Sequence, residues 1–268
     1  MKIFWIAGMP RSGSTWLSQI FASSPQVRLK FCPLFSYEFK NKLDETATSD
    51  QWKELFEDVY NCSSEYLDQE YLRKKGLVPQ FDLKNDNPSS LVIKSTRFHN
   101  LVPSILDLDK DIKFVHLVRD PRASIHSWLT NPYEFPKDAI PTEEWRSGAC
   151  RKTGLGEFWG FEDWKYVNGQ ALELQARYPE RFQIVQYEDL VRDVENGVQT
   201  LFEYCDIEYH AQTVAFLNAS RHTHLDNKRS VFKKQASHQS WIKNLDPEIS
   251  IACQREVQDT PLERFLRD

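Results

Sequence analysis

The chain has 268 residues, 40% hydrophobic and 13% aromatic, with a formal net charge of -5. That is apolar material enough for a sizeable core, and it suits one α/β domain with insertions rather than a disordered or fibrous chain. A negative surface repels nucleic acid and heavily sulfated polysaccharides unless a local basic groove attracts them, so no nucleic-acid partner is expected.

Five cysteines, Cys32, Cys62, Cys150, Cys205 and Cys253, are scattered without a C-x-x-C pair. That pattern argues against a disulfide framework or zinc knuckle and predicts buried free thiols. No run approaches the ~18 apolar residues of a membrane span. The short apolar start is broken by Pro10, and no convincing cleavage site follows. The expectation is a soluble cytoplasmic protein with no membrane partner.

In chain order, Lys2 to Gly8 reads as a buried strand. "IAGMPRSGSTW", Ile6 to Trp16, follows with the spacing Gly8-x-x-x-x-Gly13-Ser14-Thr15 of a phosphate-binding loop. Trp16, Leu17, Ile20 and Phe21 then share a helical face, so strand, loop and helix stand in the order such a loop requires. Ser14 occupies the position of the nucleotide-kinase lysine, and the available cation is Arg11, two residues before the second glycine. Gly13 lets the backbone approach an anion, and the N–H groups of Arg11 to Thr15 are expected to point into the loop at the positive end of the helix. Such a loop suits an anion shorter than a magnesium triphosphate. A Gly/Ser turn with no ligand is the alternative.

Val27 to Phe31 is a second candidate strand. Between Pro33 and Ser90, "DQWKELFEDVY" and "SSEYLDQEYLRKKG" look like amphipathic helices, and Leu83 to Ser90 is a loop. Further strands are expected at Leu91–Thr96, Ile112–Arg119 and Phe182–Tyr187. Between the last two, Val167, Ala171, Leu174 and Tyr178 mark a helical face; Val194, Val198, Leu201 and Cys205 mark another. Asp246 and Pro247 form a helix start. Strands alternating with helices predict a single-domain α/β fold, a P-loop-like parallel sheet with helices on both faces. His116, inside a strand, reads as a core residue. His126 has no clear role, and His222 and His224 read as an incidental pair.

A second motif, "LVRDPRASIHSW", ends a strand at Arg119, where Asp120 can cap and Pro121 can open a helix. Ser124 and Ser127 are expected on one face of it. Arg119 and Ser127 can grip one phosphate outside the carboxyl edge of a parallel sheet, where such sheets bind ligands. An arginine in a surface ion pair beside a capped helix is the other reading.

Together the two motifs resemble the sulfotransferases that use 3′-phosphoadenosine 5′-phosphosulfate (PAPS). "MPRSGSTW" is similar to the family's 5′-phosphosulfate loop, and "VRDPRASIHS" to its 3′-phosphate motif with the arginine-to-serine spacing intact. "QYEDL" resembles the segment whose tyrosine, here Tyr187, lies near the adenine. "FKKQASHQSWIKN" has the spacing of the C-terminal segment that closes on the 3′-phosphate, without its glycines and with Lys234 at the arginine position. "LVRDPRA" and "YEDLVRD" are similar to the carbohydrate-type and bacterial branches.

The resemblance runs from Met1 to about Asn244. It implies PAPS as donor, the bisphosphate PAP as product, and no metal. It places Arg11, Ser12, Gly13, Ser14, Thr15 and Trp16 at the 5′-phosphosulfate, and Arg119, Ser127 and Lys234 at the 3′-phosphate. Arg11 would neutralise the leaving phosphate. Lys94 is either a second cation for the sulfuryl group or a surface lysine. For the base, cytosolic relatives place a histidine where this chain has Thr96, with His99 three residues on. The carbohydrate-type branch has a glutamate where this chain has Cys32, with Glu38 further on. The expected sulfotransferase domain is 1–268, with acceptor-binding insertions at about 31–90 and 131–161. Both are aromatic and acidic, which favours a small polar acceptor such as an amine or guanidinium compound or natural product, sulfated on oxygen or nitrogen. A neutral saccharide is next. A P-loop kinase and a non-catalytic nucleotide-binding protein are the rivals from other classes.

Overall fold

The first strand, β1 (Lys2–Ala7), carries Phe4 and Ile6 on one face and Trp5 and Ala7 on the other, all four buried. A strand apolar on both sides needs cover on both. The computed structural model describes residues 1–233 and 241–267. It places β1 at the centre of a parallel sheet with β2 (Val27–Phe31), β3 (Ser90–Lys94), β4 (Lys113–Val118) and β5 (Phe182–Gln186), in the order β2-β3-β1-β4-β5. Ile6 stands opposite Lys94 on one side and Val115 on the other, Phe31 opposite Lys94, and Val118 opposite Gln186. This register brings the carboxyl ends of the strands to one edge. The chain runs from β1 outward to β2, returns to β3, then crosses to β4 on the far side of β1. The crevice between β1 and β4 is therefore the switch point at which open parallel sheets take ligands.

One face is covered by the helices Ser14–Ala22, Val194–Tyr204 and Ala211–His222, whose Leu17, Ile20, Phe21, Val198, Leu201 and Phe216 pack on Phe4, Ile6, Val115 and Leu117. The other is covered by Ser49–Asn61, Val102–Leu108 and part of Gly160–Arg177, with Trp52, Phe56, Ile105 and Leu174 against Trp5, Leu91, Ile93 and Phe114. Phe114 stacks between Trp5 and Phe182, at 5.9 Å to each. The helix Pro247–Val257, capped by Asp246 as expected, adds Ile249, Cys253 and Val257 to a third cluster around Phe161 and Trp164.

One expected helix is absent. "SSEYLDQEYLRKKG" forms turns around a single helical turn, Glu70–Arg73. The Asp68 carboxylate accepts from Lys30 Nζ at 2.7 Å and from the Ser64 amide at 3.0 Å, and Gln69 takes a left-handed φ of 55°. These tertiary and capping bonds outcompete the helical pattern. Conversely, the helices Val102–Leu108 and Ala211–His222 stand where no helix was expected. All five cysteines are free; Cys32, Cys205 and Cys253 are buried and Cys62 and Cys150 partly so. Among the described residues no helix is long and apolar enough to cross a membrane.

Phe114 has no exposed surface, so Phe114→Ala should lower the unfolding free energy by about 3–5 kcal/mol through lost burial and a cavity, measured by urea denaturation.

Candidate functional site

A cleft of about 550 Å³ opens at the carboxyl edge, and segments following all five strands line it. Gly8 leaves β1 with φ +149°, and a Cβ there would lie 2.5 Å from the Leu117 carbonyl oxygen. The loop then turns through Arg11, a left-handed residue with φ 69°. The Ser12 amide donates to the Met9 carbonyl at 3.2 Å and closes that turn. Ser12 is buried outside the cleft lining, so neither its amide nor its hydroxyl faces the cleft as expected. Gly13 caps the helix at φ +97°, and a Cβ would come within 2.5 Å of the Tyr187 ring. Among the described residues no hydrogen bond engages the amides of Gly13, Ser14 and Thr15, because a first helical turn leaves its N–H groups without intrahelical partners. All three residues line the cleft with Trp16. The loop's donors are thus concentrated at the helix start.

The second motif faces the first. Asp120, fully buried, accepts from the Arg122 amide at 2.8 Å and starts the helix Pro121–Leu129. The Arg119 carbonyl accepts from Trp164 Nε1 at 3.0 Å. Its guanidinium lies 4.8 Å from the Tyr187 ring centre, and Nη1 donates to the Arg11 carbonyl at 3.2 Å. Arg11 in turn donates from Nε to Ser127 Oγ at 3.2 Å and from Nη2 to the Lys228 carbonyl at 3.1 Å; its Nη1 lies 3.5 Å from Glu134 Oε2. Burial lowers the Arg11 pKa, while Glu134 pulls it back up. Trp16 donates from Nε1 to Ser220 Oγ at 3.1 Å and meets Tyr187 edge-on at 6.1 Å. Arg11, Arg119, Ser127, Trp16 and Tyr187 therefore share one wall of the cleft. Ser124 does not share the face of Ser127: it lies in a small apolar recess among Ile125, Trp128 and Trp164.

The remaining expectations divide. Lys94, last residue of β3, lines the cleft, buried, with Nζ 4.5 Å from the Phe31 ring centre; burial lowers its pKa. It is therefore not a surface lysine. His99 is not brought to the cleft. It packs beneath the phosphate loop against Phe158 at 5.1 Å and His116 at 6.1 Å, and burial drives its pKa down to about 3. An apolar environment holds it neutral and closed in. Glu38 is exposed and outside the lining. Lys234 lies outside the described residues; its neighbour Lys233 lines the cleft. His116 is a core residue, hydrogen-bonded through Nε2 to Asn168 Oδ1 at 3.0 Å, its pKa pushed down by burial to about 4. His126 and His224 both line the cleft.

The expected insertions do wall the cleft, with Phe31, Phe35, Tyr66 and Tyr71 from one and Tyr133 and Trp159 from the other. Their acidic residues mostly do not. Within these insertions Asp58 pairs with Lys42, Asp68 with Lys30 and Glu157 with Arg97, and just beyond them Glu162 pairs with Arg146 and Lys165 and Asp163 with Lys152. Of the described lining residues only Glu134 and Asp226 are acidic, against Arg97, Arg151, Arg221, Lys228 and Arg229 beside Arg11, Arg119 and Lys94. Most carboxylates of the two segments lie outside the cleft, and among the described lining residues of the whole cleft cations outnumber carboxylates. Glu134, Lys228 and Arg229 went unnoticed in the sequence because none belongs to a spaced motif.

The chain matches the sulfotransferase family over residues 3–211. A Caenorhabditis briggsae protein provisionally named a protein-tyrosine sulfotransferase is 24% identical over 217 residues, 79% of this chain and 68% of that protein. The sulfotransferase domain of the Synechococcus PCC 7002 olefin synthase superposes with a TM-score of 0.54 at 18% identity, covering 97% of this chain and 95% of that one. Mouse SULT7A1 complexed with PAP also gives 0.54, at 12% identity, over 98% and 87%. Both solved structures share the fold.

Two outcomes test the site's construction. Gly13→Ala should cost about 1–3 kcal/mol of stability, measured by urea denaturation, because φ is positive and the Tyr187 ring fills the space. His116 is neutral when folded, with a pKa below the unfolded value of ~6.5. It contributes stability above that pH, and the contribution is lost as pH falls toward about 4. His116→Gln should therefore show a shallower loss of stability between ~6.5 and 4 than the wild type.

Proposed function

This chain belongs to the sulfotransferase family, and on that premise we propose that it moves the sulfuryl group of PAPS to a hydroxyl or nitrogen of a small acceptor and releases PAP. The observation that carries the reading is the chain of bonds from Arg119 to the Arg11 carbonyl and from the Arg11 side chain to Ser127. It sets two anion-binding elements side by side at the sheet's switch point. One is the amide-lined helix start and the other a guanidinium with a hydroxyl, as a nucleoside with phosphates at both ends requires. A fold relative in complex with PAP agrees with this.

In the proposed complex the 5′ end rests on the amides of Gly13, Ser14 and Thr15, with the hydroxyls of Ser14 and Thr15 as further donors and Ser12 supporting the loop. The 3′-phosphate takes Arg119 and Ser127, with Lys234 assigned by resemblance alone. Trp16 and Tyr187 form an aromatic corner for the adenine. The acceptor attacks sulfur in line with the bridging oxygen; the new bond to sulfur forms as the bond to the 5′-phosphate breaks. Charge moves onto that phosphate, where Arg11 and the helix amides stabilise it, and Lys94 serves the sulfuryl oxygens. Positive charge comes from the protein, and no metal is invoked.

The 31–90 and 131–161 segments form the acceptor walls. Their aromatic rings suit a flat or apolar body, and the basic lining suits a neutral or anionic acceptor better than an amine or guanidinium compound. A neutral saccharide fits this lining as well.

PAP without metal should raise the melting temperature, by the equivalent of about 2.7 kcal/mol at 100 times its Kd, and magnesium–ATP should not match it. The reverse order would favour a kinase. Arg119→Ala should weaken PAP binding by about 2–5 kcal/mol, read by calorimetry. Arg11→Ala should lower turnover of PAPS more than it weakens PAP binding; equal losses would contradict the role given to Arg11.

A further inference from the structure

An attacking hydroxyl must give up its proton, and the group that takes it has to stand in the cleft beside the sulfuryl site. His99 is sealed below the loop, Glu38 is outside, and Cys32 occupies the position at which related branches carry a glutamate. We propose that Glu134 is the base that takes the acceptor's proton; the proposal rests on the sulfotransfer reading above.

The geometry is specific. Arg11, proposed for the leaving phosphate, lies 3.5 Å from Glu134 Oε2. Glu134 also acts electrostatically on Lys94, proposed for the sulfuryl oxygens. Glu134 thus contacts one of the two cations that would flank the transferring group, and its charge is felt by the other. Among the described lining residues no other acidic side chain forms an ion pair with Arg11, and no imidazole is hydrogen-bonded to it. His126 feels Arg119 and Lys228, on the 3′-phosphate side. Asp226, two residues from His224, pairs electrostatically with Lys233.

Glu134 is also held in place. Asn131, fully buried, donates from Nδ2 to Glu134 Oε2 at 2.7 Å, and its Oδ1 accepts from the Tyr133 amide at 3.1 Å. The Asn131 carbonyl accepts from the amides of Glu134 and Phe135 at 3.1 and 2.9 Å. Phe135 is anchored against Trp128 at 5.3 Å. A carboxylate on so braced a turn has little rotamer freedom to lose. With Oε2 engaged by Asn131 and Arg11, Oε1 has no hydrogen bond from the described residues. The side chain keeps 25% of its surface exposed, so it is accessible to a substrate.

The step balances without a co-reactant other than PAPS. The acceptor O–H proton passes to Glu134 Oε1 while the oxygen's electron pair forms the bond to sulfur. The electrons of the breaking S–O bond remain on the 5′-phosphate of PAP beside Arg11. Glu134 then returns the proton to water. A mere counter-ion for Arg11 would have a different signature, since its removal would change anion binding and not the response to acceptor acidity.

The test uses the full chain and Glu134→Gln with PAPS and a panel of hydroxyl acceptors graded from p-nitrophenol through 2-naphthol to 2-phenylethanol, together with PAP release in the absence of any acceptor, where water takes its place. PAP should stabilise both proteins. Turnover by the variant should fall about 10²-fold or more on the least acidic acceptor, and progressively less toward p-nitrophenol, which ionises without help. Glu134→Asp should recover part of the loss. A uniform loss across the panel, no loss, or equal PAP release by both proteins overturns the assignment of the base while PAP binding leaves the sulfotransfer reading standing. Absence of any stabilisation of the wild type by PAP overturns that reading itself.

Discussion

The site depends on one short relay. Arg119 donates to the Arg11 carbonyl, and the Arg11 side chain donates to Ser127 on the helix that Arg119 introduces. The relay couples the loop after β1 to the turn after β4, and it exists because those strands are hydrogen-bonded neighbours. Buried groups hold both ends: Asp120 caps the second helix, Trp164 pins the Arg119 carbonyl, and the Tyr187 ring fills the space that Gly13 leaves open. Changing any of these changes the distance between the two anion-binding elements, and so the length of molecule that spans them.

Charge is distributed against the chain's average. The formal net charge is -5, yet the charged residues among the described cleft lining are mainly arginine and lysine. Carboxylates of the 131–161 segment and the helix after it are engaged in ion pairs outside, such as Arg146 with Glu162 and Lys152 with Asp163. A basic cleft in a low-dielectric wall focuses an anionic substrate whatever the total charge. Glu134 stands out against that background, a carboxylate braced in a field of cations.

Imidazoles show the same dependence on placement. His99 and His116 lie under the phosphate loop, where burial keeps them neutral, whereas the exposed His224 reaches the cleft wall. Distance along the chain from a motif is a poor guide to which histidine faces the ligand. The lining around Lys94 was closer to expectation, since the end of a central parallel strand can only face that edge.

What the sequence determined by itself is local: the strand-loop-helix order around Gly8 and Gly13, the capped helix after Arg119, and the alternation that requires a sheet covered on both faces. These features arise from period, capping and glycine geometry within a few residues. What the tertiary structure decided is which distant groups meet. Arg11 and Ser127 are 116 residues apart, and Trp16 and Ser220 are 204 apart. Such pairs are made by sheet order and helix packing, which local pattern does not encode. Glu134, held by a buried asparagine at a turn, belongs to that second kind, as does the conversion of "SSEYLDQEYLRKKG" from helix to turns by the bond from Lys30 to Asp68.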